Sequence, residues 1–153
     1  MEKHYLYPSA LYVSNKPTEV LTILGSCVAV CIWDKELKIG GINHYMLPVW
    51  NGKGLQSPKF GNIAILKLIE KIENYGSNRQ NLVAKVFGGA EVIAAQSIKM
   101  NIGERNIIIA KELLAEFKIP IIATSVGGYS GRKIMFYTQT GEVLHRFITN
   151  NNN

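Results

Sequence analysis

The chain reads as an α+β (mixed α/β) protein, a mixed sheet structure with two to three helices packed outside it. Three observations predict this. Two segments carry apolar residues at helical spacing, and seven short runs are apolar and β-branched. Their order along the chain is strands, helix, strand, helix, strands. Strict strand–helix alternation, the mark of a doubly wound parallel sheet, is absent.

Strands are expected at 19–24, 27–33 and 38–46. A helix follows over 61–75, where Ile65, Leu68, Ile69, Ile72 and Tyr75 share one face while Lys67, Glu70, Lys71 and Asn74 take the other. Gly76 supplies its stop. After a strand at 82–87, a third helix over 90–98 is only weakly signalled. The second clear helix spans 104–118, with Ile109, Ala110, Leu113, Leu114 and Phe117 as its apolar stripe and Pro120 as its terminator. Strands at 120–126, 132–138 and 142–148 close the chain, with Thr140-Gly141 as a hairpin turn between the last two. A single domain is expected over residues 1–149, with Asn150 to Asn153 as a disordered polar tail.

With 153 residues, 47% hydrophobic and 18% charged, the chain can bury a core without disulfides or a structural metal. No apolar run approaches the roughly 18 residues of a membrane span. The opening Met1-Glu2-Lys3-His4-Tyr5 has no signal-peptide core, so a cytoplasmic protein is expected. The net charge of +6 reads first as a solubilising surface charge and second as attraction to an acidic protein partner. Its basic residues are scattered, however, without the clusters of a nucleic-acid module.

Cys27 and Cys31 lie too far apart along an extended strand to form a disulfide. Cys27 directly follows Gly25-Ser26, which interrupts two apolar runs. Such a turn lets a thiol project from the edge of a rigid element and leaves nearby backbone N–H groups free for an oxyanion. On residues alone a second reading stays open, that of a small buried thiol. A thiol nucleophile needs a base, and an imidazole in reach can lower its pKa. His44 is the candidate by elimination, because His4 lies in an N-terminus expected to be mobile and His145 near a frayed end. Thr22, on the strand before the turn, can fix the imidazole tautomer or simply be a good strand former. The glycine clusters at 88–89 and 127–131 match no phosphate loop and are expected to permit close backbone approach. Arg132 is expected in a surface salt bridge rather than as a clamp on a substrate carbonyl.

The segment Thr22 to Asp34, centred on Leu24-Gly25-Ser26-Cys27-Val28-Ala29-Val30, resembles the signature of the CheD family of chemoreceptor glutamine deamidases. So do Gly40-Gly41 with His44, Met46, Leu47 and Pro48, then Lys85 to Ala90, then Asn101-Ile102-Gly103 with Arg105-Asn106, then Gly127-Gly128 with Gly131-Arg132-Lys133. These motifs keep the family's order and span roughly residues 18 to 145. The resemblance implies a cysteine hydrolase with layered mixed β-sheets, sandwich-like and flanked by two to three helices, similar to the catalytic domain of cytotoxic necrotising factor toxins. It implies Cys27 as nucleophile, His44 as its base and Thr22 as the assisting residue, with Gly25 and Ser26 supporting the oxyanion, and neither metal nor cofactor. The implied substrate is a set of glutamines on the cytoplasmic helices of methyl-accepting chemotaxis receptors, and the implied partner is a CheC-type phosphatase. Rival readings are another cysteine hydrolase such as a peptidase, a non-catalytic adaptation module, and a dual deamidase/methylesterase.

Overall fold

A computed structural model describes residues 1–91 and 101–148. Among these residues the strands are β1 (Glu2–Tyr5), β2 (Leu11–Ser14), β3 (Thr18–Leu24), β4 (Val28–Asp34), β5 (Ile39–Asn43), β6 (Leu82–Gly88), β7 (Ile121–Val126), β8 (Arg132–Tyr137) and β9 (Val143–Phe147). The helices are α1 (Gly61–Asn74) and α2 (Ile102–Glu116). One mixed sheet has four strands in the order β1-β3-β8-β9, the other five in the order β2-β5-β4-β6-β7. The helices cover one face of the five-stranded sheet and the four-stranded sheet covers the other, giving three layers.

β4 explains this layering. Its Val28-Ala29-Val30-Cys31-Ile32 run shows no polar alternation because both faces are covered. Val28, Val30 and Ile32 pack on the helix side with Ile65, Leu68, Ile69, Ile72 and Leu114. Ala29 and Cys31 face Val20, Leu24, Ile134 and Phe136 of the opposing sheet. Each large apolar side chain buried in these layers contributes about 1.5–3 kcal/mol. Gly41 lets α1 seat closely, since a Cβ there would lie 2.8 Å from Leu68 and 2.9 Å from Ile72.

Both clear helices and all seven expected strands are present, with ends shifted by a few residues. The N-terminus departs from expectation. Instead of being mobile it forms β1, paired parallel to β3 with His4 opposite Val20, and His4 stacks on Tyr12 at 4.1 Å. Its short, charged sequence carries little strand signal of its own, and the ladder to β3 holds it. β2 is likewise too short to announce itself. The strand expected over 38–46 ends at Asn43, whose side chain enters the ladder and accepts the Val30 N–H at 2.9 Å. Pairing then resumes as a single bridge between Val28 and Tyr45. The hairpin at Thr140-Gly141 joins β8 to β9, with Gly141 at φ +76°. The third helix expected over 90–98 and the Asn tail fall mainly outside the described residues.

Candidate active site

Gly25-Ser26-Cys27 is the short link by which the chain leaves β3 of one sheet and enters β4 of the other. Its three carbonyls are all engaged. Gly25 O accepts from Ala90 N–H and Cys27 O from Gly89 N–H, both at 2.9 Å. Ser26 O accepts from the Asn106 side-chain amide at 2.9 Å. Residue 88 must be glycine, because it sits at φ +106° and a Cβ would collide with the Cys27 carbonyl oxygen. The Ser26 and Cys27 N–H groups, by contrast, donate to no acceptor among the described residues.

His44 lies just past β5. Its N–H donates to Ala10 O at 3.2 Å, and its carbonyl accepts from Ser9 N–H at 2.8 Å. The Val28–Tyr45 bridge keeps the β4–β5 register, which sets Met46 opposite Cys27 and Ala29 opposite His44. Side chains alternate across a sheet, so Cys27 and His44 both point into the layer between the sheets. They are diagonal neighbours, a spacing that an imidazole can reach across.

Thr22 reaches His44 from the other sheet. Its hydroxyl lies 2.7 Å from His44 Nδ1 and 2.7 Å from Leu6 O. Leu6 O only accepts, so the single hydroxyl proton goes there. Nδ1 must then carry a proton and donate it to Thr22, leaving Nε2 as the unprotonated nitrogen. Nε2 is buried and has no hydrogen-bond partner among the described residues, the Cys27 sulfur included. Threonine, leucine carbonyl and imidazole thus form a chain that ends in a lone pair.

Burial sets the charge state. It lowers the His44 pKa to about 4 and raises that of Cys27, the latter partly offset by the residue's own backbone N–H. The free site therefore holds a neutral thiol beside a neutral imidazole. A lowered thiol pKa is the expectation for a cysteine in contact with histidine. Without that contact, desolvation governs both groups.

Arg132 is not in a surface salt bridge. It is buried, with Nε donating to Ser125 Oγ at 3.0 Å, a terminal nitrogen donating to Gly127 O at 2.9 Å, and the Phe147 ring 4.9 Å from its guanidinium carbon. It ties down the glycine loop after β7, and Gly127 N–H in turn holds Gly88 O beside the Cys27 turn. His145 packs between Phe87 and Phe147 on β9. Asn106 had no role from sequence, although a signal was present. It sits one turn before Ala110 on the apolar stripe of α2, a polar residue at a core position, and it is fully buried.

No helix among the described residues is long and apolar enough to cross a membrane. A family model described as CheD chemotactic sensory transduction matches residues 46–147. Similarity to curated relatives extends across the remaining N-terminal part, where Thr22, Cys27 and His44 lie. A protein of Trichlorobacter lovleyi named "Probable chemoreceptor glutamine deamidase CheD" is 49% identical over 94% of this chain and 89% of its own length. Its namesake in Sulfurimonas denitrificans is 48% identical over 96% of this chain and 95% of its own. Another in Rhodospirillum rubrum is 40% identical over 97% and 84%. The chain belongs to the CheD family.

Proposed function

We propose that this protein deamidates glutamine side chains of methyl-accepting chemotaxis receptors, with Cys27 as nucleophile, His44 as general base and acid, and Thr22 as the residue that fixes the imidazole. The observation that carries the reading is the Thr22–His44 hydrogen bond, which leaves an unprotonated Nε2 on the face that Cys27 shares. The names of the relatives supply the substrate.

His44 Nε2 takes the Cys27 proton as the sulfur attacks the glutamine carboxamide carbon. Because both groups rest neutral, proton transfer and attack are coupled to arrival of the substrate. The carbonyl oxygen becomes an oxyanion held by the free N–H groups at Ser26 and Cys27. The imidazolium returns its proton to the departing nitrogen, and ammonia leaves a thioester on Cys27. Water, deprotonated by His44, adds to the thioester carbon, and collapse releases glutamate and the thiol. The proposed partners are cytoplasmic receptor helices and a CheC-type phosphatase, and the proposed location is the cytoplasm.

Incubation with receptor cytoplasmic fragments, read by ammonia release and by mass spectrometry, tests this. The expected result is conversion of amide to acid without backbone cleavage, abolished in Cys27→Ala. Ammonia release at the wild-type rate from Cys27→Ala would overturn it, and backbone cleavage would make the protein a peptidase.

A further inference from the structure

The Asn106 carboxamide joins two pieces of chain just beyond the Val28–Tyr45 bridge. Its Nδ2 donates to Ser26 O at 2.9 Å and to Met46 O at 3.0 Å. Met46 is the residue opposite Cys27 in the register, so one amide holds both sides of the site. Two carbonyl oxygens can be met only by the NH2 edge, which fixes the amide orientation. Its Oδ1 has no partner among the described residues, although the side chain is fully buried. The backbone carbonyl of the same residue accepts from the Tyr45 hydroxyl, which anchors this turn of α2 beneath the His44 segment.

In a trans peptide the C=O and the following N–H point to opposite edges of one plane. No peptide bond among the described residues is cis, so drawing the Ser26 carbonyl inward to Asn106 turns the Cys27 N–H outward. That N–H has no acceptor among the described residues and lies against its own sulfur. We infer that Asn106 is a positioning residue which aims the Cys27 N–H at the oxyanion of the substrate. This rests on the proposed Cys27 chemistry and adds to it the group that orients the oxyanion donor. It also accounts for an unpaired polar atom deep in an apolar helix face: the amide is kept for its two donors.

The test uses the full chain and receptor fragments with Asn106→Ala and Asn106→Asp, the second close in shape but lacking the donors. Thermal melts establish folding. The expected result is a fall in kcat on the order of 10²-fold, the scale for losing or misaiming an oxyanion donor, with KM unchanged. The rate and pH profile of Cys27 alkylation by iodoacetamide should match wild type, because alkylation needs the thiol but no oxyanion. An unchanged kcat, or an alkylation rate that falls along with kcat, would overturn the inference. If Asn106→Ala does not fold, Asn106→Ser, which keeps one donor, should retain more kcat than Asn106→Asp, and the reverse order would also overturn it. Failure of the Cys27 chemistry itself reads differently, as ammonia release that survives Cys27→Ala.

Discussion

Cys27 and Cys31 are the same residue, four positions apart, facing the same layer from the same strand region, yet they differ in exposure and in what surrounds their backbone groups. Cys31 lies in the middle of β4, 2% exposed, against apolar side chains of both sheets. Burial pushes its thiol far up despite the nearby charge of Lys85. Cys27 lies just before β4 begins, half-buried, with carbonyls pinned, N–H groups free and an imidazole on the diagonal. The difference teaches that the free backbone donors and access the proposed nucleophile needs belong to the strand end. At mid-strand, ladder hydrogen bonds consume the backbone donors and the opposing sheet excludes the substrate.

The largest expected effect that sharpens this contrast is at the base. His44→Ala should lower kcat by roughly 10²–10⁴-fold in the ammonia assay, the usual scale for general acid–base catalysis. In wild type the acid limb of the rate profile should follow the histidine, with activity lost as pH falls toward about 4. Folding should report the same group. A buried neutral histidine takes up its proton on unfolding, so stability should fall as pH drops from about 6.5 to about 4. A shift of that size corresponds to about 3 kcal/mol, read by denaturant melts across that window against His44→Ala.

A smaller effect is expected one residue further out. Thr22→Val keeps the strand shape and removes the hydroxyl, which leaves Nδ1 and Leu6 O unpaired. A fall of roughly 10–100-fold in kcat is expected, as for loss of other outer hydrogen bonds that orient a histidine, together with about 1–3 kcal/mol of stability. Full activity in this variant would break the link between tautomer and catalysis. The smallest effect belongs to the other cysteine. Cys31→Ala should leave ammonia release unchanged and cost about 1 kcal/mol in a denaturant melt, as one small buried group is lost. Iodoacetamide on native wild type should label Cys27 and spare Cys31, as peptide mapping would show.

How much of this was legible in the sequence follows the reach of each signal. The helices and central strands announce themselves through local periodicity, and β4 through a run apolar on both faces. β1 carries no such pattern, because pairing with β3 is a contact between residues far apart along the chain. Cys27, His44 and Thr22 stood out through the family's ordered motifs, whereas residue chemistry alone favoured Cys27 as a small buried thiol. The expectation for Arg132 failed because charge suggests the surface, and only the fold shows the three carbonyl and hydroxyl acceptors gathered around it. Asn106 acts across 80 positions of sequence on Ser26, so its stripe position could flag it but not name its target.

The hydrogen bond from His44 to Thr22 crosses from one sheet to the other, and that has a consequence for the molecule's assembly. A chain in which only the five-stranded sheet has formed already carries the sulfur and the imidazole, but not the hydroxyl that selects the working nitrogen. The four-stranded sheet supplies that hydroxyl, through Thr22 on β3. On the proposed chemistry, the reactive pair is therefore complete only where both sheets are in place.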